Sequence, residues 1–160
     1  MSRYRRYLYL GLLCLLGGCT LPRLVVLQDT LTPEEHLNLG VAYEEQGEFA
    51  AAIQEYKLAA KELPRAYLYL GNVAFRQQEW SQAERYYQKA IDQDPDLAEA
   101  YNNLAWLYYT RGEKLEEAEH LARKALLLDP GKAEIYTDTL EKIQALSSAG
   151  EKRRRGMGTR

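Results

Sequence analysis

A chain of 160 residues is long enough for one domain of ordinary size or one short array of repeats. Its composition, 46% hydrophobic and 28% charged with a net charge of −2, excludes a disordered polymer, a collagen-like chain and a protein with many membrane spans. The charge is uneven: residues 29–146 contain 22 acidic and 12 basic side chains, and residues 147–160 contain one acidic and five basic ones. Since contacts to phosphates require Lys and Arg, the acidic body argues against a nucleic-acid-binding domain.

The first nineteen residues have the pattern of a secretory signal. Three arginines precede the apolar run 8–16, which is too short for a membrane-spanning helix of about 20 residues. The run ends in Leu-Gly-Gly followed by Cys19, which resembles the bacterial lipobox. This resemblance implies that residues 1–18 are removed as a lipoprotein signal peptide and that Cys19 is lipidated. The alternative is a buried cysteine in an apolar helix.

The residue after Cys19 is Thr20 rather than Asp. In Gram-negative lipoproteins Asp at this position is the usual signal for retention in the inner membrane, so the resemblance implies a lipid-anchored protein on the periplasmic face of the outer membrane. Residues 19–31 would then form the lipidated Cys and a tether. Its apolar run 24–27 is expected to lie against either the domain or the bilayer.

A repeated pattern covers residues 33–130. Each copy begins with a Leu followed by a small residue. Four further positions follow in order: an Ala, then an aromatic residue or a second Ala, then another Ala, and finally a Pro. The recurring positions are Gly40, Gly71 and Ala105; Tyr56, Tyr87 and Ala122; and Pro64, Pro95 and Pro130. This pattern resembles the tetratricopeptide repeat, a helical hairpin of about 34 residues. The resemblance implies an all-α fold, a right-handed α-solenoid of three such hairpins plus a C-terminal capping helix.

Local signals support the same helices. Thr32 followed by Pro33 and Glu35 is typical of a capping box, and a second box is predicted at residues 81–84. Each repeat-ending Pro prevents a helix from continuing through it. The predicted helices lie near 33–46, 49–62, 65–78, 81–92, 97–111 and 115–128, with a cap helix at 132–146. The predicted domain spans 32–146, with repeats at about 33–64, 65–95 and 98–130.

Residues 147–160 contain little that could be buried and are predicted to be a disordered basic tail. Two interpretations stay open for this tail. It could be solvated without a specific role, or its basic side chains could contact anionic lipid headgroups near the anchor, at about 1 kcal/mol for each residue.

No pattern of catalytic residues is found in the sequence. His36 occupies an aromatic position of the first repeat and is predicted to pack, and His120 lies among glutamates on an exposed helix. Neither has a second His or Cys at metal-ligand spacing, and the sequence lacks the motifs of zinc proteases, serine hydrolases and phosphate-binding loops. We therefore expect no enzyme activity, no cofactor and no metal.

The resemblance implies a concave groove lined by the first helix of each repeat. The expected peptide-binding residues are Asn38, Tyr69, Asn72, Phe75, Arg76, Asn102, Asn103, Trp106 and Tyr109. Asn presents a donor and an acceptor that suit peptide amides, and aromatic rings are enriched in binding hot spots. For Phe75 and Trp106 the alternative is packing between repeats.

Members of the family that bind chaperone tails hold a terminal carboxylate with Lys, Asn and Arg, and the Lys is missing from the first-repeat groove here, which offers Asn38 and Glu45. The acidic surface favours a neutral to basic partner. The leading hypothesis is a non-catalytic, membrane-anchored adaptor that binds an extended segment of another envelope protein, in secretion, pilus or outer-membrane assembly. The alternatives are a self-associating scaffold of the envelope and, more remotely, an envelope hydrolase. No nucleic-acid or small-molecule partner is expected.

Overall fold

The computed structural model describes residues 30–157, and within that range every regular element is helical. The repeats lie in a unit that begins at Leu31. The predicted signal peptide, Cys19 and nearly all of the tether lie outside the described residues. The elements in chain order are α1 Pro33–Glu45, α2 Phe49–Ala59, α3 Arg65–Arg76, α4 Trp80–Gln93, α5 Ala98–Arg111, α6 Leu115–Leu128, a 3-10 turn Pro130–Lys132 and α7 Ala133–Met157.

The helices form three consecutive hairpins. Helix α1 packs on α2, α3 on α4 and α5 on α6, while each second helix also packs on the first helix of the next hairpin. Helix α7 packs on α6 and α5 and so occupies the position of the next first helix. The predicted fold class, an all-α solenoid of three helical hairpins plus a capping helix, is confirmed.

The first two hairpins are built around a glycine opposite a tyrosine. A Cβ atom on Gly40 would stand 2.5 Å from the ring of Tyr56, and one on Gly71 would stand 2.4 Å from the ring of Tyr87. Both rings are buried. Only a residue without a side chain lets the two helices approach this closely, so the glycines of the repeat pattern have a steric cause.

The three hairpin turns share one backbone arrangement. A residue at positive φ follows each first helix, namely Gly47, Gln78 and Gly112. After each of them the next amide N–H donates a bond back across the turn, and these bonds are Glu48 to the Tyr43 carbonyl, Glu79 to Ala74 and Glu113 to Tyr108, at 2.8 to 3.0 Å. This closure ends the first helix and reverses the chain within a few residues.

One predicted capping box is confirmed and one is wrong. The Thr32 hydroxyl accepts from the Glu35 amide at 3.2 Å, and the Glu35 carboxylate accepts from the Thr32 amide at 2.7 Å, which lowers the pKa of Glu35. Helix α4, in contrast, begins at Trp80 with Glu79 as its N-cap and no side-chain capping bond, so Ser81 lies inside the helix. The reason is the turn at Gln78, which completes the chain reversal before Ser81 is reached.

The last helix is longer than predicted. Helix α7 continues to Met157, so residues 147–157, predicted to be disordered, are helical in the structure. The physical reason is that this stretch contains no proline and is rich in Ser, Ala, Glu, Lys and Arg, all of which a helix accepts, while Gly150 and Gly156 only weaken it. Residues 158–160 lie outside the described range. None of the described helices, α7 included, is both long and apolar enough to cross a membrane.

Candidate interaction groove

Two clefts open between the first helices of successive hairpins. The first cleft, of about 260 Å³, lies between α1 and α3 and is lined by Val41, Glu44, Glu45, Tyr69, Asn72 and Arg76. The second cleft, of about 280 Å³, lies between α3, α5 and α7 and is lined by Leu68, Tyr69, Asn72, Glu99, Asn102, Asn103, Lys132, Ile135 and Tyr136. Because Tyr69 and Asn72 line both, the two clefts form one continuous groove across the array.

The first cleft is organised around the carboxylate of Glu44. The hydroxyl of Tyr56 donates to Glu44 Oε2 at 2.7 Å, and Arg76 Nη1 donates to Glu44 Oε1 at 2.9 Å. Burial of the ring and the bond to this carboxylate raise the pKa of Tyr56. The Arg76 guanidinium also lies 4.8 Å from the ring centre of Phe49. Glu44 and Arg76 therefore hold each other, which leaves Glu45 as the carboxylate of this cleft without an ion pair among the described residues.

Asn72 connects the two clefts through its side-chain carbonyl. Its Oδ1 accepts from the Tyr87 hydroxyl at 3.1 Å and from Asn103 Nδ2 at 2.9 Å. Burial raises the pKa of Tyr87, so this hydroxyl is a stable donor at any ordinary pH. The Asn72 amide nitrogen has no partner among the described residues and can donate to a peptide carbonyl in the groove.

The second cleft combines an apolar wall with a charged rim. Leu68 is buried in the wall, and Ile135 of α7 is 58% exposed at the cleft. Lys132 forms an ion pair with Glu99 at the rim, and the hydrogen bond that its ammonium donates to this carboxylate raises the pKa of Lys132. Beneath the rim lie Asn102 and Tyr136, both buried.

Five of the nine sequence-predicted groove residues line these clefts: Tyr69, Asn72, Arg76, Asn102 and Asn103. One of the five requires a correction. Asn102 was predicted to be exposed, whereas it is only 8% exposed, because α7 packs over that side of α5. Asn72 and Asn103 are bonded to each other rather than separately presented to a ligand.

Four predicted groove residues lie elsewhere. Asn38 is exposed on α1 outside both clefts. Phe75 packs edge-on against Trp80 of its own hairpin with ring centres 5.3 Å apart, and it lies partly buried against the core. Trp106 and Tyr109 pack against each other with ring centres 5.0 Å apart, and Lys142 Nζ lies 5.2 Å from the Trp106 ring centre. These two rings form a separate aromatic pair on α5, and Lys142 of α7 lies over the Trp106 ring.

Several lining residues were not predicted from the sequence, among them Glu44, Ile135 and Tyr136. Glu44 lies on the first helix next to the aromatic Tyr43, and this position was a usable signal. Ile135 and Tyr136 belong to the predicted cap helix. Tyr136 occupies the aromatic position of an incomplete fourth repeat, and this was the signal that α7 would extend the groove.

The described residues contain no group of three or more His, Cys, Asp or Glu side chains placed to hold a metal ion. His36 is buried, and its Nδ1 lies 2.7 Å from Glu55 Oε2, which fixes α1 against α2. His120 is exposed on α6. The histidines are thus placed as a packing residue and a surface residue.

Family models described as tetratricopeptide repeat match residues 31–67 and 62–129. Together with the hairpin geometry, these matches decide the family. The chain belongs to the tetratricopeptide-repeat proteins. The glycine–tyrosine contacts and the common turn are the physical basis of the pattern that the models detect.

The chain is similar to parts of larger proteins. It is 35% identical over 101 residues to the human protein O-mannosyl-transferase TMTC2, covering 59% of this chain and 12% of that protein. It is 32% identical over 98 residues to the photosystem I assembly protein Ycf3 of Rippkaea orientalis, covering 54% of this chain and 57% of that protein. The chain thus spans less than two thirds of either relative.

A solved structure has the same fold. The first tetratricopeptide-repeat domain of Spaghetti (RPAP3), bound to the HSP90 peptide SRMEEVD, superimposes with a TM-score of 0.66 at 25% identity. The superposition covers 74% of this chain and 96% of that chain.

Proposed function

We propose that this protein is a non-catalytic adaptor that binds an extended segment of another protein in the groove formed by the two clefts. The observation that carries the proposal is the continuity of the groove through Tyr69 and Asn72, which gives a polar and aromatic track across three first helices. Extended peptides are recognised through backbone amides and side-chain pockets, and this track offers both. The peptide bound to the related repeat domain of Spaghetti supports the same use of the fold.

The charge of the groove indicates that the proposed partner segment differs in charge from the HSP90 peptide. The sequence SRMEEVD contains three acidic residues and one basic residue. Here Glu44, Glu45 and Glu99 face two cations, and both of these, Arg76 and Lys132, are already in ion pairs with glutamates. An acidic segment would gain no unpaired cation and would approach carboxylates, so the proposed partner segment is neutral to basic.

The proposal extends to the site of action. The lipobox-like end at Cys19 and the Thr that follows it support a lipid anchor at the periplasmic face of the outer membrane, where the partner would be an envelope protein in secretion, pilus or outer-membrane assembly. Labelling growing Gram-negative cells with an alkynyl palmitate tests the anchor. The wild-type chain should incorporate the label and fractionate with outer membranes, and Cys19→Ser should lose both properties. A labelled Cys19→Ser chain would contradict the anchor.

The groove is tested by photocrosslinking in intact cells. A benzophenone amino acid is placed at Tyr69 or Asn103 in the groove, and at Gln88, which is exposed on α4, as the matched control. The proposal predicts one common adduct from both groove positions and none of that size from Gln88. An adduct from Gln88 alone would contradict the groove, and an adduct containing two copies of the chain would favour the self-associating scaffold.

A further inference from the structure

The second cleft covers two polar atoms that have no hydrogen-bond partner. Asn102 Oδ1 and the hydroxyl oxygen of Tyr136 are both enclosed and unbonded among the described residues. Asn102 is 8% exposed and Tyr136 is 2% exposed, and both residues line this cleft. Since buried polar groups are nearly always hydrogen-bonded in folded proteins, two unpaired groups in one cleft mark a place for a hydrogen-bonding ligand.

The walls of the cleft suit an aliphatic chain. Leu68 of α3 and the exposed side chain of Ile135 of α7 provide apolar surface on two helices that line the cleft. The ring of Tyr69 provides a third apolar surface. A long side chain that is apolar along its stem and polar at its tip would match this arrangement of apolar walls over buried oxygens.

The charge at the rim of the cleft determines which charge the tip of the bound side chain should carry. Glu99 is the one carboxylate among the described residues lining the second cleft, and it already accepts the ammonium of Lys132 from this same chain. The Lys132 side chain is 44% exposed, so it can turn outward into solvent when another cation arrives. A carboxylate ligand, in contrast, would meet the like charge of Glu99 and the Asn102 oxygen, which cannot donate to it, so that of these groups only the Tyr136 hydroxyl could bond it.

We infer that the second cleft is a specificity pocket for a Lys or Arg side chain of the bound segment. The side chain would lay its stem between Leu68 and Ile135 and pair with Glu99 in place of Lys132. As Lys132 moves away the cleft would open, and the tip of the bound side chain would donate hydrogen bonds to Asn102 Oδ1 and the Tyr136 hydroxyl oxygen. Bonds of a cation to oxygen acceptors are stronger than neutral ones, which favours Lys and Arg over Gln or Asn. This inference rests on the proposed function, because the pocket is part of the proposed groove.

The test uses the full chain in detergent and four pools of synthetic nonapeptides. Each pool has Lys, Arg, Gln or Glu fixed at the centre and neutral residues at all other positions, and binding is measured by fluorescence anisotropy. The Lys and Arg pools should bind about fivefold or more tightly than the Gln and Glu pools. Equal binding of the four pools, or tightest binding of the Gln or Glu pool, would overturn the pocket.

Two variants separate recognition from stability. Asn102→Leu combined with Tyr136→Phe removes both unpaired oxygens and keeps the branching of each side chain, so the melting temperature should not fall. The ratio of the affinity for the Lys and Arg pools to that for the Gln and Glu pools should fall to about one. Glu99→Gln alters only the rim of the cleft and should reduce the preference for Lys and Arg while the fold is unchanged. If the double variant unfolds, this variant tests the inference in its place. A preference that survives in the folded variants would overturn the inference.

The same experiment distinguishes failure of the pocket from failure of the groove. If all pools bind alike and Tyr69→Ala weakens them all, the groove stands and the pocket is wrong. If no pool binds at all, both proposals are contradicted.

Discussion

The second and third hairpins hold their groove-side residues in different ways. In the second hairpin Tyr87 lies against Gly71, and its hydroxyl passes between the two helices to bond Asn72 in the groove. In the third hairpin the corresponding positions are Ala105 and Ala122, both fully buried. No tyrosine at the position of Ala122 can therefore bond a groove residue as Tyr87 does.

The third hairpin compensates with contacts from outside itself. Tyr108 of α5 donates its hydroxyl to Glu84 of α4 at 2.8 Å, and Lys114 bonds the same carboxylate at 2.6 Å. Outside the two clefts, Trp106 packs against Tyr109, and Lys142 of α7 lies 5.2 Å from the centre of the Trp106 ring. The comparison teaches that the repeat pattern fixes the scaffold, while the means of fixing groove residues differs from one hairpin to the next.

The largest expected effects come from the contact between Gly71 and Tyr87, and the first test closes it. Gly71→Ala places a methyl group 2.4 Å from a buried ring and should lower the free energy of unfolding by about 2 kcal/mol, because the helices must separate. Urea unfolding followed by circular dichroism measures the change. Gly150→Ala is the matched control, since a Cβ there meets nothing within 4 Å, and it should be neutral or gain up to about 1 kcal/mol.

A double variant gives the sharper form of this test. Gly71→Ala with Tyr87→Ala reproduces the alanine pair of the third hairpin. Tyr87→Ala alone should cost about 3 to 5 kcal/mol, and adding Gly71→Ala to it should cost nothing further. If the two losses simply add, the glycine is not there for the tyrosine ring.

A smaller effect is expected from the tyrosine hydroxyl. Tyr87→Phe removes the bond to Asn72 Oδ1 while the ring stays in place, and it should cost about 1 kcal/mol in unfolding free energy. Asn72 keeps its bond from Asn103, so the groove should not collapse. Tyr101→Phe is the control, because the Tyr101 hydroxyl has no hydrogen-bond partner among the described residues. An equal loss in both variants would show that the bond to Asn72 is not what stabilises the second hairpin.

The fold could be predicted from the sequence because its determinants are local. The positions of Gly40 and Gly71, the repeat-ending prolines and the Thr32 capping box each act within one hairpin, and each lies where the pattern placed it. The Ser81 box failed because the turn at Gln78, a non-glycine residue at positive φ, could not be inferred from a residue type that rarely adopts that conformation.

The groove could be predicted only in part, because its walls come from distant parts of the chain. Whether Asn102 is exposed depends on α7, which begins about thirty residues later, and no periodicity within α5 contains that information. For Phe75 the missing information was local, because its neighbour Trp80 is brought against it by the turn at Gln78. Tyr69 and Asn72 could be predicted from their positions on the first helix of their hairpin. Helix α3 lies between the two clefts, and both residues line each of them.

The smallest expected effect is a loss of stability at low pH in the third hairpin. It comes from the contacts of Tyr108 and Lys114 with Glu84, since this hairpin has no tyrosine at the position of Tyr87. The bond from Lys114 lowers the pKa of Glu84, while burial and the bond to Glu84 raise the pKa of Tyr108 to about 12. A carboxyl group with a lowered folded-state pKa contributes stability above its unfolded pKa of about 4.3, and this contribution is lost as the pH falls through the lower folded value. The second hairpin uses neutral groups at Tyr87 and Asn72, so it should not share this dependence.

Lys114→Met tests this difference without changing the backbone requirement for positive φ at that residue. The variant should lose about 0.5 kcal/mol of unfolding free energy at pH 7, a small value because both partners are partly exposed. The loss should shrink as the pH falls through the lowered folded-state pKa of Glu84, because below it this carboxyl group is protonated in wild type and variant alike. Lys61→Met, at an exposed position without an ion pair among the described residues, should show no such pH dependence. A Lys114→Met loss that does not shrink as the folded protein is titrated through the protonation of Glu84 would assign the effect to packing of the lysine on the Tyr108 ring, 4.5 Å away, rather than to its charge.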